Sequence, residues 1–347
     1  MSNAHASFVQ LHQGANFYVL PNVWDAGGAR LVQQLGAVAV GTSSAAMAWS
    51  CGYADGGALP DTALLQRVSE IVGVTSLPVT VDIEDGYSDA PDVVAARVLR
   101  LVEAGAVGIN IEDGAGSPEV LVAKISSIRS ALGGRSLFIN ARTDVYLRSL
   151  AEGDEAVRMS IDRLRAYARA GADGGFVPGL RALDEAAALA GAVPLPLNLM
   201  WLPGMASFAA LSQVGVRRLS AGPALFMHAW TAMAAATTDF LGDAMAMPLH
   251  DALRDNPGRW NLDHVVSFGS GGAVFSANLK AAIKSFLPNA TIMDGMGTSE
   301  GGLSGQALPS DDGVMRLGDF GNALAVKRRG RGCGQQRLEI GNTELGE

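Results

Sequence analysis

Val79-Thr80-Val81-Asp82-Ile83-Glu84-Asp85-Gly86-Tyr87 is followed, after three residues, by Pro91-Asp92-Val93-Val94-Ala95-Ala96-Arg97-Val98-Leu99-Arg100-Leu101-Val102-Glu103, and then by Val107-Gly108-Ile109-Asn110-Ile111-Glu112-Asp113. The first and third stretches are short, apolar and β-branched at their starts, which predicts strands. The middle stretch places Val93, Val94, Val98, Leu101 and Val102 at helical spacing. Pro91 suits the first turn of that helix, where its missing N–H costs nothing. Ala104-Gly105 supplies a left-handed stop. Strand, helix, strand in this order is the unit of a parallel sheet with helices packed on it.

The same alternation continues in both directions. Strand-like runs occupy residues 17–20, 37–40, 79–83, 107–111, 137–139, 175–177, 195–200 and 217–219. Helical stretches fall between and after them, at 27–35, 61–72, 91–103, 118–132, 154–170, 182–189, 205–214 and 223–240. Eight units over about 225 residues predict an α/β fold of the (β/α)8 TIM barrel type. A doubly wound open sheet fits less well. It has fewer strands and a Gly-rich phosphate loop after the first, where this chain has Pro21-Asn22-Val23-Trp24-Asp25.

Composition bounds the rest. Of 347 residues, 48% are hydrophobic and 17% charged, which excludes a mainly disordered chain. With 26 Lys and Arg against 34 Asp and Glu, the net charge of −8 argues against a nucleic-acid partner. The two cysteines, Cys51 and Cys333, make neither a disulfide framework nor a zinc pattern. No apolar run approaches the ~20 residues of a membrane span, and no secretory signal is evident, so a cytoplasmic location is expected. The texture turns polar between Pro248 and Gly258. The expected domains are a barrel over 1–245 and a small α/β or partly disordered C-terminal appendage over 246–347.

In a barrel the chemistry sits at the C-terminal ends of the strands. Asp82 and Glu84 are two apart and share a face of the third run. Glu112 ends the fourth run and Arg142, in Asn140-Ala141-Arg142-Thr143-Asp144, ends the fifth. Carboxylates crowded into a cleft repel, and a divalent cation relieves the cost. All the ligand candidates are oxygen, so Mg2+, with Mn2+ as the alternative, is expected over zinc. Asp85, Asp89 and Asp113 read as caps or loop acids. Cys51 reads as an inert buried thiol. Ser43 and Ser44 suit either a helix cap or a site that offers N–H groups to an anion.

These segments, with Gly41-Thr42-Ser43-Ser44-Ala45, Trp49-Ser50-Cys51-Gly52-Tyr53-Ala54-Asp55 and Gly171-Ala172-Asp173-Gly174, resemble the isocitrate lyase/phosphoenolpyruvate mutase superfamily over about residues 8–242. The resemblance implies a phosphoenolpyruvate/pyruvate-type barrel that binds Mg2+ and a small 2-oxo acid or phosphonate and works through a metal-stabilised enolate. It implies that Asp82 is the direct metal ligand and that Glu84 and Glu112 hold metal-bound waters. Arg142 then holds the substrate as a catalytic residue, Ser43, Ser44 and Ala45 bind its pyruvyl end, and Asp55 lies close to the reacting centre. It also implies a homo-oligomer, commonly a tetramer, with exchange of the last helix, here 223–240.

One departure narrows the reaction. Lyases of the superfamily carry a Lys-Lys/Arg-Cys-Gly-His loop soon after the fourth-strand acid. Here Glu112 leads through Asp113-Gly114-Ala115-Gly116-Ser117 straight into Pro118 and a helix. That disfavours isocitrate or methylisocitrate cleavage. C–C or C–P lyase, decarboxylase and phosphonomutase-like chemistry stay open, as does a catalytically silent barrel acting as a binding module. A second resemblance, over Val266 to Glu300, is to a fragment of an acyl-CoA synthetase of the adenylate-forming type, with Thr298 and Glu300 in its Gly-Thr-Ser-Glu segment. The upstream phosphate loop of those enzymes is missing, so acyl-adenylating activity is the least expected.

Overall fold

A computed structural model describes residues 3–271, 275–297 and 304–307. The chain divides into two compact units, Met1–His228 and the remainder from Ala229. In order, the first unit contains α1 (Asn3–Leu11), β1 (Tyr18–Leu20), β2 (Asn22–Val23), α2 (Ala26–Gln34), β3 (Val40–Thr42), α3 (Ser44–Ser50), α4 (Asp61–Val74), β4 (Val79–Asp82), α5 (Pro91–Glu103), β5 (Gly108–Glu112), α6 (Pro118–Leu132), β6 (Phe138–Arg142), α7 (Gly153–Ala170), β7 (Gly174–Val177), α8 (Leu183–Ala192), β8 (Leu197–Met200), α9 (Phe208–Gln213) and β9 (Val216–Ser220). Helix α10 (Ala224–Asp255) then leads into β10 (Ser267–Gly271), α11 (Ala277–Phe286), β11 (Thr291–Gly297) and β12 (Ser304–Ala307).

Every strand of the first sheet pairs in parallel with its neighbours, in the order β1-β9-β8-β7-β6-β5-β4-β3-β2. Pro21 splits one barrel strand into β1 and β2. The β1 half pairs with β9, the β2 half with β3. The two halves therefore close the ring, giving the expected (β/α)8 barrel. Alternate residues face outward and pack under the helices: Val81, Ile109, Ile139, Val177, Leu199 and Leu219 are fully buried there. Pro91 and Pro118 open α5 and α6 at the predicted residues. The predicted run 37–40 lies slightly early, since the strand begins at Val40.

The inward face is unusually polar, carrying Thr80, Asn110, Asn140, Asn198 and Arg218 in addition to the site residues. Asn110 Oδ1 accepts from Asn140 Nδ2 at 2.9 Å and from Arg218 Nη2 at 2.8 Å. Close approach across this interior requires glycine at position 174, where a Cβ would lie 2.7 Å from Asn140 Oδ1. The lower end is closed by α1. His12 stacks on Phe138 at 4.1 Å, donates from Nδ1 to the Phe8 carbonyl and accepts from the Tyr18 hydroxyl. Burial pushes His12 down to about 3, which keeps it neutral in that role.

The second unit is built differently. β10 and β11 are parallel, joined through α11, and β12 pairs antiparallel with β11. Phe275, Leu279, Ile283, Leu287, Ala290 and Ile292 form its core. Helix α10 does not end at residue 240 as the sequence predicts; it continues through Pro248 to Asp255. Among the described residues no helix is long and apolar enough to cross a membrane.

Candidate active site

The upper rim of the barrel collects the acids. Asp82 ends β4, and Glu84 follows in a loop whose backbone is left-handed at Glu84 (φ 51°), Gly86 (φ 94°) and Tyr87 (φ 57°). Left-handed backbone is costly for residues with a side chain and concentrates at functional sites. Here three ties fix the loop: Gly86 N–H donates to the Ile83 carbonyl at 2.8 Å, Tyr87 N–H to Asp85 Oδ1 at 2.8 Å, and buried Lys124 Nζ to the Asp85 carbonyl at 2.8 Å. Glu112 ends β5, and its N–H donates to the Glu84 carbonyl at 2.9 Å, so the two loops rise together.

Asp82 is buried and accepts at Oδ2 from the Ser44 hydroxyl (2.8 Å) and more distantly from the Ser44 N–H (3.4 Å). Its Oδ1 is buried with no hydrogen-bond partner. Burial pushes the Asp82 carboxyl up, against the opposing pull of Arg142. Glu84 is pushed up to about 7 by burial and by the charges of Asp55, Asp82 and Asp85. Glu112 is likewise pushed up, by burial first, with Asp144, Asp82 and Glu84 adding and Arg142 opposing. Arg142 Nη1 lies 2.5 Å from Glu112 Oε2. Arg142 also forks onto Asp144, with Nε–Oδ1 at 2.6 Å and Nη2–Oδ2 at 3.0 Å, and its guanidinium carbon lies 5.8 Å from the Phe176 ring centroid.

The structure thus places Asp82, Glu84, Glu112 and Arg142 around one rim and joins them electrostatically. Asp55 sits in the exposed loop after α3, near enough for its charge to act on Glu84. Ser43 caps α3, its hydroxyl accepting from Ala46 N–H at 3.3 Å. Ser44 is engaged with Asp82, and Ala45 is buried in the first turn of α3. Cys51 is half-buried at the end of the same helix. A cavity of about 510 Å³ opens beside Glu84 and Glu112, lined also by Gly57, Tyr87, Gly116 and Arg148. The stretch from Asp113 to Ser117 forms one wall of it as a tight turn, with Gly116 N–H donating to the Asp113 carbonyl at 2.8 Å.

Sequence reasoning missed two of these groups. Asp113, read as a cap or loop acid, is buried, and it accepts from Arg163 (2.8 Å), Tyr167 (2.6 Å) and the Asp144 N–H (2.9 Å). Asp144, fully buried, shows in the sequence only as the last residue of Asn140-Ala141-Arg142-Thr143-Asp144. The signal available was its spacing two residues from Arg142.

The donor set suits a hard divalent cation. A buried unpartnered carboxylate oxygen beside two further carboxyls, all pushed toward the neutral form, is what a bound cation would reverse. Among the described residues no three carboxylates converge as a direct cage. Mg2+ ordinarily takes one or two carboxylates and keeps waters, so the arrangement fits it.

Known proteins resemble the chain over the barrel. An uncharacterised protein of Mycobacterium tuberculosis strain H37Rv is 38% identical over 221 residues, 62% of this chain and 81% of that protein. An oxaloacetate decarboxylase of Bradyrhizobium strain BTAi1 is 34% identical over 195 residues, 52% of this chain and 65% of that protein. A crystal structure from Burkholderia cenocepacia J2315, provisionally named a phosphonomutase, superimposes with a TM-score of 0.65 at 39% identity, covering 68% of this chain and 99% of that one. The pattern of the phosphoenolpyruvate phosphomutase family matches residues 8–241. The chain belongs to this family, within the phosphoenolpyruvate mutase/isocitrate lyase superfamily of enzymes.

Proposed function

We propose that the barrel is a Mg2+-dependent enzyme that breaks a C–C or C–P bond in a small 2-oxo acid or phosphonate and leaves an enolate. The observation that carries this is the unpartnered Asp82 Oδ1, buried between Ser44 and the rim that holds Glu84, Glu112 and Arg142. Asp82 would hold the metal directly, with Glu84 and Glu112 holding its waters. When bound, Mg2+ would supply Lewis-acid stabilisation of negative charge. Ser44 fixes the Asp82 carboxylate in one orientation. The Arg142 guanidinium, fixed in place and shielded from bulk water, offsets charge that develops on the substrate oxygen. Ser43 to Ala45 are proposed to meet the carboxylate end of the substrate, and Asp55 to approach the reacting centre from the loop with Gly56 and Gly57. The open turn at Gly114 to Gly116 supports substrates whose cleavage does not depend on the lyase cysteine loop.

A homo-oligomer forms part of the proposal. Val19, the outward residue of β1, is 43% exposed, whereas its counterparts on the other strands are buried. Neighbouring helix α2 leaves Leu31 and Leu35 exposed at 56% and 76%. Within the first unit the helical coat is therefore incomplete over the first strand, and a helix of a second copy would complete it. Sedimentation should show an assembly larger than one chain; a monomer at micromolar concentration would contradict this. The segment from Val266 to Glu300 enters no step, and its Thr298 and Glu300 lie outside the described residues.

The test is pyruvate formation from oxaloacetate, phosphonopyruvate, 2-methylisocitrate and alkylated malates, with Mg2+ and with EDTA. Turnover abolished by EDTA and by Asp82→Ala is expected. Turnover indifferent to both overturns the metal assignment. Folded, metal-binding protein with no turnover on any of them favours a silent binding barrel.

A further inference from the structure

We infer that Asp144 is a positioning residue for Arg142, and that Asp113, itself held by helix α7, keeps Asp144 in place. The inference rests on the proposed role of Arg142 at the substrate. Arg142 presents five N–H groups. Asp144 engages the Nε and one Nη2 N–H as a planar fork, at 2.6 and 3.0 Å, which fixes the plane of the guanidinium. Glu112 sits at the Nη1 end, and Phe176 lies against the face. The remaining N–H groups at Nη1 and Nη2 are the ones left for a bound anion.

Asp144 needs a hold of its own. The last sheet bond of this segment is made by Thr143, whose N–H donates to the Phe176 carbonyl at 2.9 Å. Beyond it the chain leaves the strand, and a carboxylate there would normally turn to solvent. Instead the Asp144 side chain is fully buried, because its own N–H is caught by Asp113 Oδ1 at 2.9 Å. Asp113 is in turn clamped at Oδ2 by Arg163 and Tyr167, one helical turn apart on α7. The succession is helix side chains, Asp113, the Asp144 backbone, the Asp144 carboxylate, Arg142. Each acid along it faces a cation, Arg163 for Asp113 and both Arg142 and Arg148 for Asp144. The adjacent acids at the end of β5 thus divide the work. Glu112 faces the rim, and Asp113 faces the helix and orders the next loop.

The test uses the full-length protein and Mg2+-dependent binding of oxalate, measured by calorimetry, for wild type, Asp144→Asn, Arg142→Ala and the double variant. Asp144→Asn keeps the shape but sets an amide N–H against an Arg142 N–H. It should weaken oxalate binding about tenfold or more, the scale of one charge-assisted bond. In the Arg142→Ala background the same change should have almost no effect. Equal losses in both backgrounds, or no loss in folded Asp144→Asn, overturn the inference. Tyr167→Phe gives a milder arm should Asp144→Asn fail to fold: its loss, too, should vanish without Arg142. Failure of wild type to bind oxalate would count against the proposed function alone. The positioning is then read from the Arg142 Nε–H resonance, assigned by its loss in Arg142→Lys. It should be protected from exchange in wild type and lose that protection in Asp144→Asn; unchanged protection overturns the inference.

Discussion

Gly86→Ala should destabilise the barrel and loosen the loop that carries Glu84. Gly86 has φ 94°, and a Cβ there would lie 2.7 and 2.9 Å from the two methyls of Val94. Val94 is fully buried on α5 and cannot swing away. Left-handed backbone costs a residue with a Cβ about 1–2 kcal/mol. Overpacking a filled core costs about 1–3 kcal/mol. The sum is a loss of roughly 2–5 kcal/mol, measurable by urea denaturation followed through tryptophan fluorescence. The two terms are separable. Val94→Ala removes the clash but not the strain, so the double variant should be more stable than the sum of the singles by about 1–3 kcal/mol. A loss below about 1 kcal/mol for Gly86→Ala, or simple additivity in the double, would refute the reasoning.

Other outcomes follow from the buried charges. Glu84 titrates at about 7 in the folded chain against an ordinary 4.5, so the folded state holds its proton more tightly. Metal-free stability should therefore fall as pH rises from about 4.5 to about 7, and Mg2+ affinity should rise over the same window; stability that climbs through that window in Glu84-dependent fashion would contradict the assignment. Arg218 is fully buried, and its Nε and Nη1 make no hydrogen bond. Arg218→Met trades the bond to Asn110, about 1.5–3 kcal/mol, and the electrostatic contact with the Tyr18 hydroxyl against the several kcal/mol cost of burying a cation. Equilibrium unfolding should show a change near zero or a gain; a loss beyond about 3 kcal/mol would show that this balance is misjudged.

Much of the barrel was legible because each strand is a compact β-branched run and several helices carry their own start signals. Pro91 and Pro118 stand at the first residues of α5 and α6. The misses have tertiary causes. Helix α1 is short and weakly patterned; Phe8 and His12 packing on Phe138 secures it. Helix α3 spans seven residues and is buried almost throughout, so it lacks the polar face that marks a surface helix. In α10 Pro248 removes one backbone donor, yet the helix passes through it.

Within the site, Asp82, Glu112 and Arg142 were legible from their places at strand ends; Glu84, expected to share a strand face with Asp82, instead reaches the rim from a left-handed loop beyond β4. Asp113 was not. Its neighbour Glu112 faces the rim, so Asp113 faces the other way, and its meaning depends on Arg163 and Tyr167, some fifty residues later. Asp144 was hidden for a similar reason: only the fold shows that the chain turns back there and buries it.

The central claim is that the acids at the ends of β4 and β5 form a divalent-metal site. Its most direct test is the stoichiometry of Mn2+ bound per chain, read by electron paramagnetic resonance, for wild type and Asp82→Ala. One Mn2+ per barrel, displaced by Mg2+ and absent in folded Asp82→Ala, is the predicted result. Mn2+ bound equally by Asp82→Ala, or not bound by the wild type, would contradict it.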